Sequence, residues 1–360
     1  MRILILSVAD LRHMTCVSSY CEFFTNHNIS FDILCTDRYE DNAQYIYKCN
    51  IYKYTWRKDF KAKKIQKIKE FLYFRKFVKK IIQQNEYDYV VVWGENAALL
   101  FSDILLFKFK GKYCINIRDI DLYKNIFTKF ILNICTKKSI FSTVPSPAAL
   151  CYLKGNRKVL INKDLQILNM CKVKTAFKRK GEQLNITYMG LISPYIETFK
   201  KIIKILGNDK RYLLKFYGEN ADTILKKFVS EEKINNVICG GKFPPLETIN
   251  YLNETDILNS YYPESNSGVK IAIGVKESYV PFLKIPCICN DGCYWGELSE
   301  KYNFGFPIKN LDNLGDELYT WYHSLNFEDF EKKCQEYISF VENANKDIYE
   351  LWEKYFLNNC

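Results

Sequence analysis

The chain has 360 residues, of which 48% are hydrophobic and 26% are charged, and its formal net charge is +11 at pH 7. This composition is ordinary for a globular protein, and the length predicts two domains rather than one core. The excess of positive charge favours anionic partners such as nucleotides, anionic lipids or nucleic acid.

The fourteen cysteines are scattered along the chain, many inside apolar runs, and this excludes a disulfide framework. Cys289 and Cys293 form a close pair without a second pair or a nearby histidine, so we expect no zinc site. Free thiols indicate a reducing cytosol. Because no apolar run is long enough to span a bilayer and the sequence opens directly on a strand, we expect a cytoplasmic protein.

The first half alternates short apolar runs with amphipathic helical stretches such as Val17–Thr25 and Ile65–Gln83. Such runs suit strands that are buried on both faces of a parallel sheet, and the alternation predicts a doubly wound α/β domain. The predicted strands are Ile3–Leu6, Phe31–Thr36, Tyr89–Trp93, Cys114–Ile117, Phe141–Val144 and Val159–Ile161. The loop after the first strand contains no glycine, which disfavours a nicotinamide-binding domain.

The region Lys48–Lys80 is strongly basic, with thirteen Lys or Arg residues against two acids, and aromatic residues are interleaved with the charges. It is interpreted as a surface helix with a solvated basic face, or as a patch that lies on an anionic membrane. A nucleic-acid patch is a weaker alternative, because no recognition motif accompanies it.

A second α/β series follows a basic linker at residues 172–182. Three consecutive predicted strands end in glycine, at Gly190, Gly218 and Gly240, and glycine lets the backbone approach a ligand closely. The stretch from Asp256 to Pro307 then has the pattern strand, polar loop, helix and strand. Loops that follow the carboxyl ends of strands hold the ligand in open α/β sheets, so this stretch is interpreted as the nucleotide-sugar half of an enzyme.

Several segments of the sequence together resemble bacterial capsular and exopolysaccharide glycosyltransferases of the family 4 type. These segments are MRILILSVAD, YCINIRDID, VPSPAALCYL, ITYMGLIS, LLKFYGEN and IAIGVKESYVPFLKIPCIC. The resemblance implies the α/β GT-B fold, in which two Rossmann-like doubly wound domains face each other across a cleft and C-terminal helices cross back. It places an acceptor domain at residues 1–171, a donor domain at 183–330 and the returning helix at 331–360.

The resemblance also implies roles for individual residues. Lys276 would neutralise the donor diphosphate, and Tyr279 stands where such enzymes usually carry an acid. Glu277 is expected to point elsewhere on the helix. The other donor-site candidates are Gly190, Gly218, Glu264, Ser265, Asn266 and Gly268, and the Glu264–Gly268 loop has a plain surface turn as its alternative.

Asp119 and His13 follow predicted strands of the first domain and are the catalytic candidates. Asp119 has the alternative of pairing with Arg118 or capping a helix, and His13 that of a surface histidine. Although Asp119 and Asp121 form an Asp-x-Asp pattern, GT-B enzymes imply no metal there.

The activity that the resemblance implies is sugar transfer from a nucleotide sugar, the co-substrate, to a lipid-linked saccharide in cell-surface glycan synthesis. The resemblance also implies that the sugar keeps its anomeric configuration and that no metal or other cofactor and no nucleic-acid partner is involved. It further implies peripheral attachment to the inner face of the membrane. The alternatives are a GT-B sugar-nucleotide epimerase, a catalytically silent scaffold of a polysaccharide assembly complex, and a basic nucleic-acid-binding protein.

Overall fold

The computed structural model describes residues 1–37, 48–56, 64–155, 157–159, 183–244, 247–263, 268–271 and 273–358. The chain forms two compact units, one of Met1–Asp164 with Asn343–Cys360 and the other of Leu165–Glu342. The expected linker at 172–182 and the candidates Glu264, Ser265 and Asn266 lie outside the described residues.

The first unit is built on a seven-stranded parallel sheet with the strand order β3-β2-β1-β4-β5-β6-β7. Its strands are β1 (Arg2–Asp10), β2 (Ser30–Asp37), β3 (Asn50–Thr55), β4 (Tyr89–Trp93), β5 (Tyr113–Asn116), β6 (Ser142–Val144) and β7 (Lys158–Val159). Its helices are α1 (Ser18–Asn26), α2 (Lys64–Gln84), α3 (Glu95–Leu100), α4 (Ser102–Phe107), α5 (Asp121–Lys124) and α6 (Ile126–Lys138). The run Ile3–Leu6 is fully buried, as expected for a strand covered on both faces.

The second unit contains a six-stranded parallel sheet with the order β10-β9-β8-β11-β12-β13. Its strands are β8 (Leu184–Met189), β9 (Tyr212–Tyr217), β10 (Val237–Gly240), β11 (Ile257–Ser260), β12 (Cys287–Asn290) and β13 (Gly305–Ile308). Its helices are α7 (Ile196–Leu206), α8 (Lys226–Glu231), α9 (Thr248–Leu252), α10 (Val275–Leu283), α11 (Tyr294–Lys301), α12 (Leu314–Ser324) and the start of α13 (Phe327–Phe356).

Both sheets have the doubly wound order, in which the chain first winds in one direction from the centre of the sheet and then in the other. The direction reverses between β1 and β4 in the first unit and between β8 and β11 in the second. A crevice opens at the carboxyl ends of the strands at such a point and is where ligands bind in this class of sheet.

The carboxyl-terminal part of α13 completes the core of the first unit. Trp352 is fully buried, and its ring centroid lies 4.3 Å from that of Tyr20 on α1. Phe356 packs edge-on against Phe24, also on α1. The last turns of the chain therefore cover the face of the first sheet on which α1 lies.

The structure differs from the sequence-based prediction mainly at element ends and sheet edges. The edge strands β3 and β13 were not predicted. Within the described residues no helix is long and apolar enough to cross a membrane, and no cluster of His, Cys, Asp and Glu could hold a metal ion.

Candidate functional site

Two glycines form the base of a candidate site where the winding of the second sheet reverses. Gly190 follows β8 with φ 139°, and Gly218 follows β9 with φ 146°. A methyl group added to Gly218 would lie 1.8 Å from the carbonyl oxygen of Gly190. Both positions favour glycine because of their backbone conformation, and Gly218 also requires it because of the close approach of the two strand ends.

A side-chain amide fixes the neighbouring strand ends. Asn290, at the end of β12, accepts a hydrogen bond from the backbone N–H of Tyr262 at 2.9 Å and donates one to its carbonyl oxygen at 2.8 Å. This two-way bond holds the chain after β11, and with it the Tyr262 ring, next to the end of β12. The site therefore has a rigid wall made of two strand ends.

Lys276 projects from the first turn of α10 into this site. Its Nζ lies 3.5 Å from the ring centroid of Tyr188 and 4.8 Å from that of Tyr262. It would lie 3.9 Å from a methyl group added to Gly190. Among the described residues this Nζ has no hydrogen-bond partner, although it is shielded from solvent. The faces of these two aromatic rings stabilise the positive charge of the ammonium group.

Burial lowers the pKa of Lys276 from 10.5 to about 7, and the negative charge of Glu277 opposes this shift. Glu277 is itself 4% exposed, and burial raises the pKa of its carboxyl group. Backbone N–H groups of Gly274 and Glu277 counteract that rise, as in a carboxylate that caps its own helix.

Glu277 does not lie on a solvated face of α10, because its carboxylate is buried at the start of that helix. A methyl group added to Gly274 would lie 2.2 Å from Glu277 Oε2, so the carboxylate folds back over the start of its own helix. Oε2 and the buried hydroxyl of Ser260 make no hydrogen bond of ordinary geometry in the described residues, although the Ser260 hydroxyl is near enough to favour the charged carboxylate. The site therefore contains three buried polar atoms that a ligand could satisfy.

The structure brings Gly190, Gly218 and Lys276 together, as the sequence analysis expected of a donor site. Tyr279 is 4% exposed and lies within the packed part of α10, and Gly268 belongs to the turn before that helix. Whether these residues contact a donor stays a prediction.

In the first unit, Asp119 follows β5 and is exposed. Its Oδ1 accepts hydrogen bonds from the backbone N–H groups of Ile120 at 2.6 Å and Asp121 at 3.3 Å. It therefore stabilises the start of α5, the capping role that was its alternative. His13 is exposed at the end of a short 3-10 helix, Leu11–His13, that follows β1.

Sequence reasoning missed Glu95, a buried acid at the first turn of α3. One carboxylate oxygen accepts hydrogen bonds from the N–H groups of Arg118 at 3.3 Å and Asp119 at 3.0 Å. Burial raises the pKa of Glu95, and these N–H groups oppose the shift. An acid directly after Gly94, at the end of an apolar strand, was the available signal.

No known protein family matches the sequence, and no characterised protein matches it at the sequence level. Solved structures, in contrast, match its three-dimensional fold over nearly the full length. Sucrose-phosphate synthase from Thermosynechococcus elongatus aligns with a TM-score of 0.74 at 11% identity, covering 99% of each chain. HepE from Anabaena, solved in complex with UDP and glucose, aligns at 0.64 and 12% identity, covering 98% of this chain and 100% of its own.

A third structure, a putative UDP-N-acetylglucosamine 2-epimerase from Listeria monocytogenes, aligns at 0.63 and 11% identity over 98% of this chain and 96% of its own. Identities this low show the fold alone. Together with the two parallel sheets, they confirm the prediction of a GT-B fold.

Proposed function

We propose that this chain is a glycosyltransferase that uses a nucleoside-diphosphate sugar as donor and a lipid-linked saccharide of the cell surface as acceptor. The observation that carries the proposal is the buried Nζ of Lys276 at the reversal point of the second sheet, which has no hydrogen-bond partner among the described residues. A buried amine without a hydrogen-bond acceptor is stabilised by an anionic ligand, and a diphosphate supplies several acceptor oxygens.

The chemistry assigned to the site is stabilisation of the leaving diphosphate. Lys276 would balance the charge that develops as the bond to the sugar breaks, and the glycine ends of β8 and β9 would leave room for the nucleotide. Retention of configuration without a metal is part of the proposal, and it rests on the resemblance to family 4 enzymes. Support for the donor class comes from HepE, which was solved with UDP-glucose bound.

Thermal shift with UDP-, GDP-, dTDP- and CMP-sugars tests the donor. We expect one nucleotide class to raise the melting temperature, and Lys276→Met to weaken that binding by about 1.5–3 kcal/mol, as for a hydrogen bond to a charged group. The matched control is Lys227→Met, because Lys227 is an exposed lysine of the same unit. Absence of any shift at millimolar ligand would contradict the proposal and favour the silent scaffold.

For the acceptor side we propose Asp119 as a catalytic or acceptor-orienting carboxylate, with His13 as a further acceptor contact. Asp119→Asn should lower turnover at least about 100-fold while donor binding is retained. The amide keeps an oxygen that can accept the bonds from Ile120 and Asp121, so the loop should stay folded. Near wild-type turnover would leave Asp119 with its capping role alone.

The likeness to a putative epimerase favours one second candidate, a GT-B sugar-nucleotide epimerase. Product analysis separates the two activities. An epimerase converts the nucleotide sugar to its isomer when no acceptor is present, whereas a transferase needs the acceptor and releases the nucleoside diphosphate.

Peripheral attachment to the inner face of the cytoplasmic membrane, through the Lys48–Lys80 region, completes the proposal. In the described part of this region, α2 exposes Ile68, Leu72 and Tyr73 among its lysines. Glu70, the single acid of α2, is buried and accepts a hydrogen bond from Tyr54 Oη, so it offsets little of the surface charge. Replacing Lys67, Lys76, Lys79 and Lys80 with Gln should weaken binding to anionic vesicles.

A further inference from the structure

The first turn of α6 exposes three large apolar side chains. Ile126 is 76% exposed, Phe127 78% and Phe130 66%. The opposite face of α6 is buried through Leu132, Cys135 and Thr136, so this helix already has its core contacts and the apolar first turn is additional to them.

The exposed turn is held rigidly. The side chain of Asn125 accepts hydrogen bonds from the N–H groups of Phe127 at 3.0 Å and Thr128 at 3.3 Å, which caps the helix. Thr128 Oγ1 also donates to the carbonyl oxygen of Leu122, which fixes the corner between α5 and α6. The three apolar side chains are therefore presented by a fixed element.

Further exposed apolar residues lie on the same side of the first unit. Right-handed crossovers place α2, α4 and α6 on one face of the sheet and α1 on the other. Arg75 of α2 donates hydrogen bonds to Asp103 of α4 and to the carbonyl oxygen of Leu100 at the end of α3, and α4 in turn packs on α6. Seven of the eleven exposed large hydrophobic residues in the described chain belong to this layer: Ile68, Leu72, Tyr73, Phe107, Ile126, Phe127 and Phe130.

The charge around this apolar layer is mostly positive, and its exposed acids Asp103 and Asp121 are paired with Arg75 and Lys124. From Leu122 to Lys138 the sequence has four lysines and no acid, and from Ile104 to Lys112 three lysines and no acid. An apolar turn on a mostly basic face is complementary to an anionic lipid surface, where the aromatic rings enter the interface and the ammonium groups stay at the headgroups. A second copy of the same layer would instead bring like charges together.

We propose that the first turn of α6 inserts Ile126, Phe127 and Phe130 into an anionic membrane surface, with the lysines of α6 and of the segment after α4 on the same side of the unit. This inference deepens the proposed membrane attachment and rests on it for the choice of partner. It adds an apolar anchor in a segment that the basic Lys48–Lys80 region does not include.

Flotation of the full chain with vesicles of equal parts phosphatidylcholine and phosphatidylglycerol tests the inference. We expect Phe127→Ser with Phe130→Ser to lower the partition coefficient at least about tenfold, because two aromatic side chains no longer enter the interface. Phe127→Trp with Phe130→Trp should retain binding, since Trp suits the interface. Phe340→Ser is the matched control, an exposed aromatic of the second unit.

Equal flotation of the wild type and the double-Ser variant overturns the inference. So does a wild type that dimerises in solution through these residues and does not float. The double-Ser variant is folded if it has the melting temperature of the wild type and if a nucleotide sugar raises that temperature by the same amount. Flotation needs no donor, so the two proposals can fail separately. Vesicle binding without nucleotide binding would refute the proposed activity but support the apolar anchor. Nucleotide binding without vesicle binding would refute the anchor but not the activity.

Discussion

At the scale of single residues, Lys276 is a buried cation that no anion among the described residues binds directly. The rings of Tyr188 and Tyr262 stabilise its charge only in part, and the adjacent Glu277 is directed to the start of its own helix. Desolvation therefore dominates and lowers the pKa of Lys276 to about 7. A lysine with a pKa near neutrality in a ligand crevice is typical of functional sites.

We expect the affinity for a nucleoside-diphosphate sugar to depend on pH through Lys276. The amine must be protonated to pair with the diphosphate, so affinity is full below about pH 7 and falls about tenfold per pH unit above the pKa of the free protein. Calorimetry from pH 6 to pH 9 measures this with a UDP-sugar, whose phosphates do not titrate in that range. Lys276→Met should bind weakly and without this slope, and a flat wild-type profile would contradict the assignment.

At the scale of secondary-structure elements, the carboxyl ends of β8 and β9 are pressed together at Gly190 and Gly218. No other residue type fits at Gly218, because an added methyl group would overlap the carbonyl of Gly190 and the φ of 146° disfavours any side chain. These glycine-ended strands were visible in the sequence. The close approach of the two strand ends, which is the reason for these glycines, was not visible there.

Gly218→Ala should destabilise the protein by about 2–6 kcal/mol, since overpacking costs about 1–3 kcal/mol and a strained backbone costs about as much again. Urea unfolding measures the difference. Gly292→Ala is the control, because Gly292 also has a positive φ, 63°, but open space around it, so only strain of about 1–2 kcal/mol applies. Equal losses in the two variants would mean that the contact with Gly190 is unimportant.

At the scale of the whole molecule, the two units are completed by different parts of the chain. Residues near the carboxyl terminus complete the core of the first unit, where Trp352 packs against Tyr20 and Phe23. The sequence analysis proposed a returning helix on the basis of resemblance. The structure shows the aromatic contacts that hold residues 343–356 against α1.

Trp352→Ala should lower the free energy of unfolding by about 3–5 kcal/mol, because it leaves a large cavity among aromatic rings. Phe340→Ala, on the same helix but 37% exposed, should have a much smaller effect. Chemical denaturation of the full chain compares the two. A small loss in the Trp352 variant would indicate that the terminal helix is not part of the first core.

The sequence by itself determined the alternating α/β architecture and most of the central strands, because strands buried on both faces are continuous apolar runs. It did not determine the edge strands β3 and β13. β3 is only partly buried, and β13 contains Pro307, whose missing N–H is tolerated at a sheet edge.

Gly190, Gly218 and Lys276 were also singled out in the sequence, because residue type and position after a strand are local signals. Tertiary structure alone decided what surrounds them. Contacts between residues distant in sequence decide three of these features, namely the tyrosine rings around Lys276, the hydrogen bonds of Asn290 with Tyr262, and the burial of Glu95. The direction of the Glu277 side chain depends on the path of the chain at the start of its helix. The same holds for the exposed turn of α6, since an apolar run predicts burial and only the packed fold shows which of its residues stay outside.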